Sequence, residues 1–315
     1  MPNVLAPCEV SVVLPAYNEA RGIGRAVQVL SSILGGAAAS FEIIVVDDGS
    51  RDRTFEAASA LCPQYPHLRV LSLSRNFGKE AALLAGLTAA AGRAVITMDA
   101  DLQHPPALIP TFLEHWRNGA KVVHGVKEDR QTDSFSQRLR ARVFNALLTR
   151  LGGFNCSNCS DYKLLDREVV DILTTRMPER NRLYRGLASW VGFRQETVGF
   201  VVAERLDGAS RFSLKALMAL ATTALVSFST IPLRIVTVLG ALTLLLGVGV
   251  AAEAFWSWIH DQAVSGFMTL IMTLLIIGSS IMISLGIIGE YVGRIYEELK
   301  ARPVFLVERR AGFDE

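Results

Sequence analysis

Short apolar runs alternate with stretches of helical spacing through the first 127 residues of the chain. "EVSVVLP" ends at Pro15 and gives way to "NEARGIGRAVQVLSSIL", whose apolar positions recur at helical intervals. "FEIIVVDD" reads as a buried strand stopped by "DGS", and "LRVLSL" is a further strand followed by the helix "KEAALLAGLTAAAG". "AVITM" leads into Asp99, a helix after "HPP" runs to Asn118, and "AKVVHGV" supplies another strand. Alternation of this kind predicts an α/β domain with a mostly parallel sheet. Two stretches then show a different pattern. In "SFSQRLRARVFNALLTRL", residues Phe135, Leu139, Val143, Phe144, Leu147, Leu148 and Leu151 share one helical face, with Arg138, Arg140, Arg142 and Arg150 elsewhere. That pattern suits a basic helix lying on an anionic membrane surface, and equally a core-packed helix with a solvated basic face. "SLKALMALATTALVSFSTIPLRI" looks like a second interfacial helix, broken by Pro232.

Beyond it the polar positions nearly vanish. Two runs, about residues 235–256 and 266–289, are long and apolar enough to span a bilayer. They raise the mean hydropathy of the whole chain to +0.33. Arg211, Lys215 and Arg234 precede the first run, and Arg294, Lys300, Arg302, Arg309 and Arg310 follow the second. The link "SWIHDQAVSG" carries neither Lys nor Arg, so the positive-inside rule puts both ends in the cytoplasm. The opening "MPNVLAPCEVSVVLP" has no basic leader of a signal peptide. The expected organisation is a cytosolic domain over 1–210, an interfacial helix over 211–232, and a pair of membrane helices with a basic cytosolic tail over 233–315.

Formal net charge is only +2, which gives a nucleic-acid partner no support. The four cysteines include Cys156 and Cys159 in "CSNC", but no second CxxC or His pair follows at metal-site spacing. Two reduced thiols in a polar loop are expected there. "GIG" at Gly22–Gly24 lacks the third glycine of a dinucleotide fingerprint and sits inside a helical pattern.

In parallel sheets ligands bind at the carboxyl ends of strands. Tyr17, Glu19, Asp47, Asp48, Asp99 and Asp101 all fall at such ends. Asp99 and Asp101, two apart on an extended segment, would point to one face. A hard divalent cation takes one or two such carboxylates together with substrate phosphate oxygens, which makes the pair a candidate clamp for a diphosphate. Asp47 and Asp48 could also cap a helix beginning near Arg51; capping suits Asp47 and ligand binding Asp48. Lys79 and Glu80 open a helix and need only satisfy its terminus, while His104, before Pro105, reads as a turn residue.

"VVLPAYNEA", "VVDDGSRDRT", "SLSRNFGKEAALLAGL", "ITMDADLQHPP" and "YKLLDREVVD" together closely resemble glycosyltransferase family 2. More narrowly the chain is similar to membrane-bound polyprenyl-phosphate glycosyltransferases, the bactoprenol glucosyl transferases and dolichol-phosphate mannose synthases. "MPERNRLYRGLASWVGF", "ERLDGASRF" and "GIIGEYVGRIYEELKARP" extend the likeness over nearly the whole chain. The resemblance implies a GT-A fold followed by amphipathic interfacial helices and two transmembrane helices. It implies that Pro15, Tyr17, Glu19 and Asp48 hold the nucleotide, with Asp99 and Gln103 beside the ribose, sugar or phosphate. Asp101, with Asp99, would hold Mg²⁺ or Mn²⁺. Asp161 would face the reacting centre, and Arg205 and Arg211 would bind the acceptor phosphate, with Lys127 and Arg130 as further basic positions.

Ser160 and Lys163 stand where the family segment "GDFRL" has glycine and arginine, and Arg211 replaces a usual lysine. Charge is kept at both basic positions but fork geometry is not. The "QxxRW" signature of processive synthases is absent from the sequence. The implied activity is inverting transfer of one sugar from a UDP- or GDP-linked donor to undecaprenyl phosphate, at the cytoplasmic face of a bacterial inner membrane. Relatives with two spans suggest a homotetramer. The rival readings are a non-catalytic membrane scaffold of the same fold and a family 2 transferase with a different lipid acceptor.

Overall fold

The computed structural model of the chain describes residues 8–127, 159–177, 179–180, 182, 184–200, 231–260 and 266–313. It divides into two compact units, one holding the sheet together with Pro303–Glu315, the other holding the two long apolar helices. In the first unit β1 (Val10–Ala16), β2 (Phe41–Asp47), β3 (Leu68–Leu73) and β4 (Ala94–Thr97) form a parallel core, with β1 between β4 and β2. Their side chains are buried on both faces, which is why these strands read as continuous Val, Ile and Leu runs and not as alternations.

Helix α1 (Ile23–Ala37) sends Ile23, Ala26, Val27, Leu30 and Leu34 into the core. Helix α2 (Thr54–Ser59) follows β2, and α3 (Lys79–Ala89) packs on β1 and β2. That contact requires Gly86, because a Cβ there would lie 2.2 Å from Val13 Cγ1. A short 3₁₀ turn (Pro106–Leu108) leads into α4 (Ile109–Arg117), and β5 (Val122–Lys127) comes next. The strand β6 (Cys159–Asp166) inserts antiparallel between β4 and β5, so its first residues share the edge where β4 ends. After α5 (Arg167–Asp171), a π turn and α6 (Tyr184–Trp190), strand β7 (Gln195–Phe200) pairs parallel with β5.

Several local expectations are corrected. Asp47 does not cap α2. That helix starts at Thr54, and Asp47 instead accepts from the Ser50 N–H (3.1 Å) and the Ser72 hydroxyl (2.9 Å). Cys159 opens β6 and does not sit in a loop; Cys156 lies outside the described residues. The amphipathic stretch 134–151 lies outside them too, as does 213–230 of the second interfacial segment.

The second unit contains α7 (Ile231–Ile259) and α8 (Phe267–Leu299), which pack against each other. Pro232 lies within α7, and the stretch before Ile231, where the interfacial helix is expected, lies outside the described residues. Both helices are long and apolar enough to cross a membrane, and none of either apolar window is buried within the protein. Helix α8, with 33 residues, is about 50 Å long, against about 30 Å of bilayer hydrocarbon. Its charges begin at Glu290, so the last turns extend beyond what a span needs.

The expected basic tail after α8 carries β8 (Val307–Ala311), antiparallel to β3 at the sheet edge of the first unit. Arg309 donates to Glu56 (2.8 Å) and stacks over Phe55, and the Ser74 N–H donates to the Leu306 carbonyl (2.9 Å). The eight described strands run in the order β7-β5-β6-β4-β1-β2-β3-β8.

Candidate active site

The carboxyl ends of β1, β2 and β4 open on one cavity. Pro15, Tyr17 and Glu19 contribute from the end of β1, Asp48 from β2, and Asp99 and Asp101 from the turn after β4. Six residues expected to bind donor or metal thus meet in one place.

Asp48 is buried, and its carboxylate accepts from the N–H groups of Phe77 (2.8 Å) and Gly78 (2.9 Å). Burial pushes its pKa up, against the pull of those two amides. The residue therefore fixes the segment after β3 that forms the opposite wall. Gly49 makes this approach feasible: its φ is +61°, and a Cβ would lie 2.3 Å from the Arg75 carbonyl carbon. Asn18, at φ 57°, completes the rim. Its N–H donates to Ser50 Oγ, and its side-chain oxygen accepts from the Arg51 N–H.

Strand β4 stops at Thr97, so Asp99 and Asp101 occupy a turn and not the extended segment that was expected. Leu102 adopts φ 57°, and Asp101 Oδ1 accepts from the Gln103 N–H (3.0 Å). The turn brings both carboxylates to the cavity. His104 packs behind it, stacked on Tyr162 with ring centroids 5.2 Å apart, and Nδ1 accepts weakly from the Asp99 N–H (3.3 Å). Burial lowers the His104 pKa despite the nearby Asp99 carboxylate, which keeps the ring a neutral acceptor. Its expected role as a turn residue becomes more specific: it seats Asp99.

Lys79, which was expected to do no more than open α3, lies in the same cavity. Its Nζ is 2.5 Å from Asp99 Oδ1 and 2.6 Å from Asp161 Oδ2. Burial opposes the charge, but the Asp161 and Asp99 carboxylates outweigh it and hold the ammonium pKa above the ordinary lysine value. Asp161 itself is buried near the start of β6, and its carbonyl accepts from the Thr97 hydroxyl (2.6 Å). Thr97 Oγ1 is also 2.8 Å from the buried Tyr184 hydroxyl. The sequence signal for Lys79 was its position alone, directly after a strand and turn at the ligand-bearing edge.

Lys127 ends β5, while Arg130, Arg205 and Arg211 lie outside the described residues. Among the described residues no group of three His, Cys, Asp or Glu could hold a metal by itself. The donor set present fits a different arrangement, one or two carboxylates completed by substrate phosphates. The electrostatics agree: burial first, then repulsion from Asp101, Asp52 and Asp99, raises the Glu19 pKa, a crowding that a cation would relieve.

Residues 11–173 match the family model for glycosyl transferase family 2, and residues 231–295 match the model of the GtrB C-terminal hairpin. The chain is 37% identical over 308 residues to a glycosyltransferase of Synechocystis sp., covering 97% of this chain and 96% of that one. It is also 37% identical over 308 residues to the prophage bactoprenol glucosyl transferase homolog of Escherichia coli K12, covering 96% and 99%. Glucosyl-3-phosphoglycerate synthase of Mycobacterium tuberculosis, solved with Mn²⁺, UDP-glucose and phosphoglyceric acid, aligns with a TM-score of 0.48. The identity is 24%, over 71% of this chain and 80% of that one. With a site of clustered carboxylates at the strand ends and near-full-length relatives, the chain belongs to glycosyl transferase family 2.

Proposed function

We propose that the protein transfers one sugar from a nucleotide-sugar to polyprenyl phosphate at the cytoplasmic face of a membrane. The observation that carries this reading is the meeting of Glu19, Asp48, Asp99 and Asp101 with Lys79 in one cavity, in a chain that also holds an apolar helix hairpin. Relatives named as bactoprenol glucosyl transferases support the lipid acceptor.

Pro15, Tyr17, Glu19 and Asp48 would cradle the base and ribose. Asp48 already spends lone pairs on Phe77 and Gly78 and retains others for a ribose hydroxyl. Asp101, with Asp99, would hold Mg²⁺ or Mn²⁺ together with donor phosphate oxygens, and such an ion neutralises charge gathering on the leaving diphosphate. Gln103, whose N–H donates to Asp101, is assigned to the sugar phosphate. Arg205, Arg211, Lys127 and Arg130 are assigned to the acceptor phosphate, which planar guanidinium groups bind by paired hydrogen bonds.

The acceptor is a phosphate monoester, with a second pKa of about 6 by analogy with phosphorylated side chains. It reaches the site already ionised. One of its oxygens forms the bond to the anomeric carbon as the bond to the diphosphate breaks, and the electron pair departs with the nucleoside diphosphate. A single in-line displacement inverts the anomeric configuration. No proton must be removed, so Asp161 is assigned to orienting the sugar or acceptor.

The chain's connectivity bears on topology. Seven described strands of the sheet precede the hairpin in sequence and β8 follows it, so the chain enters and leaves the hairpin from one folded unit. Two crossings are consistent with this connectivity, and the distribution of Lys and Arg supports a cytoplasmic placement of both ends. Membranes carrying the protein, supplied with labelled nucleotide-sugars and polyprenyl phosphate, should form a labelled glycolipid that chelator abolishes. Full activity in Asp101→Ala, or no glycolipid with any donor of a broad panel, would overturn the reading.

A further inference from the structure

Lysine has three donors and no acceptor, so Lys79 cannot satisfy the free N–H groups at the start of α3. Its charge is also of the wrong sign for that end of the helix dipole. Of those groups, the Gly78 N–H goes to Asp48 and the Ala81 N–H to the Gly78 carbonyl. Two carboxylates from separate elements account for the lysine instead: Asp99 in the turn after β4 and Asp161 in β6. The neighbouring side chain reinforces the link, because Glu80 accepts from the Tyr184 N–H (2.9 Å) while Tyr184 contacts Thr97 beneath Asp161.

We infer that Lys79 is a positioning residue: in the donor-free protein its ammonium occupies the cation position at Asp99, and throughout the reaction it holds the Asp161 carboxylate at the reacting centre. The inference rests on the reading of this cavity as a nucleotide-sugar site. Removing the ammonium has two separable consequences. Asp99 is released to a divalent ion even without donor, and Asp161 loses its 2.6 Å contact with the Lys79 ammonium. The Lys79 side chain is 41% exposed, so solvent screens part of the competition.

The test uses the purified full-length chain in detergent and Mn²⁺ alone as probe, the free ion being read by electron paramagnetic resonance. Lys79→Met should bind Mn²⁺ about three- to tenfold more tightly than the unmodified protein. In the glycolipid assay its kcat should fall about tenfold or more, with the donor KM changed by less than about threefold. Lys79→Arg, which keeps the charge, should restore the original Mn²⁺ affinity and most of the kcat. Lys79→Gln carries the same comparison if the Met variant does not fold. Equal or weaker Mn²⁺ binding by the neutral variants, or a change confined to donor KM, would overturn the inference. Failure of the unmodified protein to make glycolipid would count against the functional reading, while the ion-binding comparison still decides the role of Lys79.

Discussion

His124 offers a quantitative check on the electrostatics behind the site. It lies in β5, is 4% exposed, and faces the fully buried Lys163 across the β5–β6 pair. Its Nε2 is 2.8 Å from Gln195 Oε1, and the Gln195 amide is oriented by a bond to the Ser189 carbonyl. Nε2 therefore carries the proton, and the buried Nδ1 has no hydrogen-bond partner among the described residues. Burial, and secondarily the Lys163 charge, lowers the imidazole pKa from 6.5 to about 4. Between those values the unfolded chain binds a proton that the folded chain refuses. Stability from this group is thus complete above pH 6.5 and lost as pH falls toward 4. At pH 5 the loss is about 2 kcal/mol, which corresponds to about 4–8 °C in the unfolding midpoint of a domain this size. The assay compares thermal unfolding of the intact protein and of His124→Gln, each at pH 8 and pH 5. The unmodified protein should lose about 4–8 °C more than the variant over that interval. Equal losses would refute the coupling of His124 protonation to unfolding.

Gly49→Ala places a Cβ against the Arg75 backbone at positive φ, so it should destabilise by about 2–4 kcal/mol and raise the donor KM by displacing the Asp48-anchored wall. Unchanged midpoint and KM would contradict the packing described there. Ending the chain at Arg302 removes β8 and exposes the β3 edge, so the truncated protein should unfold at lower temperature and aggregate through that edge. Light scattering alongside the thermal scan reads both effects, and unaltered behaviour would show that β8 contributes little.

Local pattern carried the parallel core because each strand is buried on both faces and α1 buries positions at helical spacing. It could not reveal β6 between β4 and β5, since insertion order depends on pairing between residues far apart in the chain. β8 was hidden for a related reason: "VERRA" has no apolar alternation, and its strand character comes from the free edge of β3. In the site, Asp99 and Asp101 were legible as a pair, but the turn that aims them depends on Leu102 at positive φ and on His104 behind. Lys79 is not legible as a site residue in the sequence, because a lysine at a helix start looks ordinary until the antiparallel β6 brings Asp161 within 2.6 Å of it.

The central claim is that an acceptor phosphate oxygen displaces a nucleoside diphosphate from the anomeric carbon. It is tested most directly by quantifying both products made by the purified protein from nucleotide-sugar and polyprenyl phosphate. The account requires nucleoside diphosphate and a polyprenyl monophosphate bearing one sugar, in equal amounts, with both lost in Asp101→Ala. Release of nucleoside monophosphate, or of diphosphate without a matching lipid product, would contradict it.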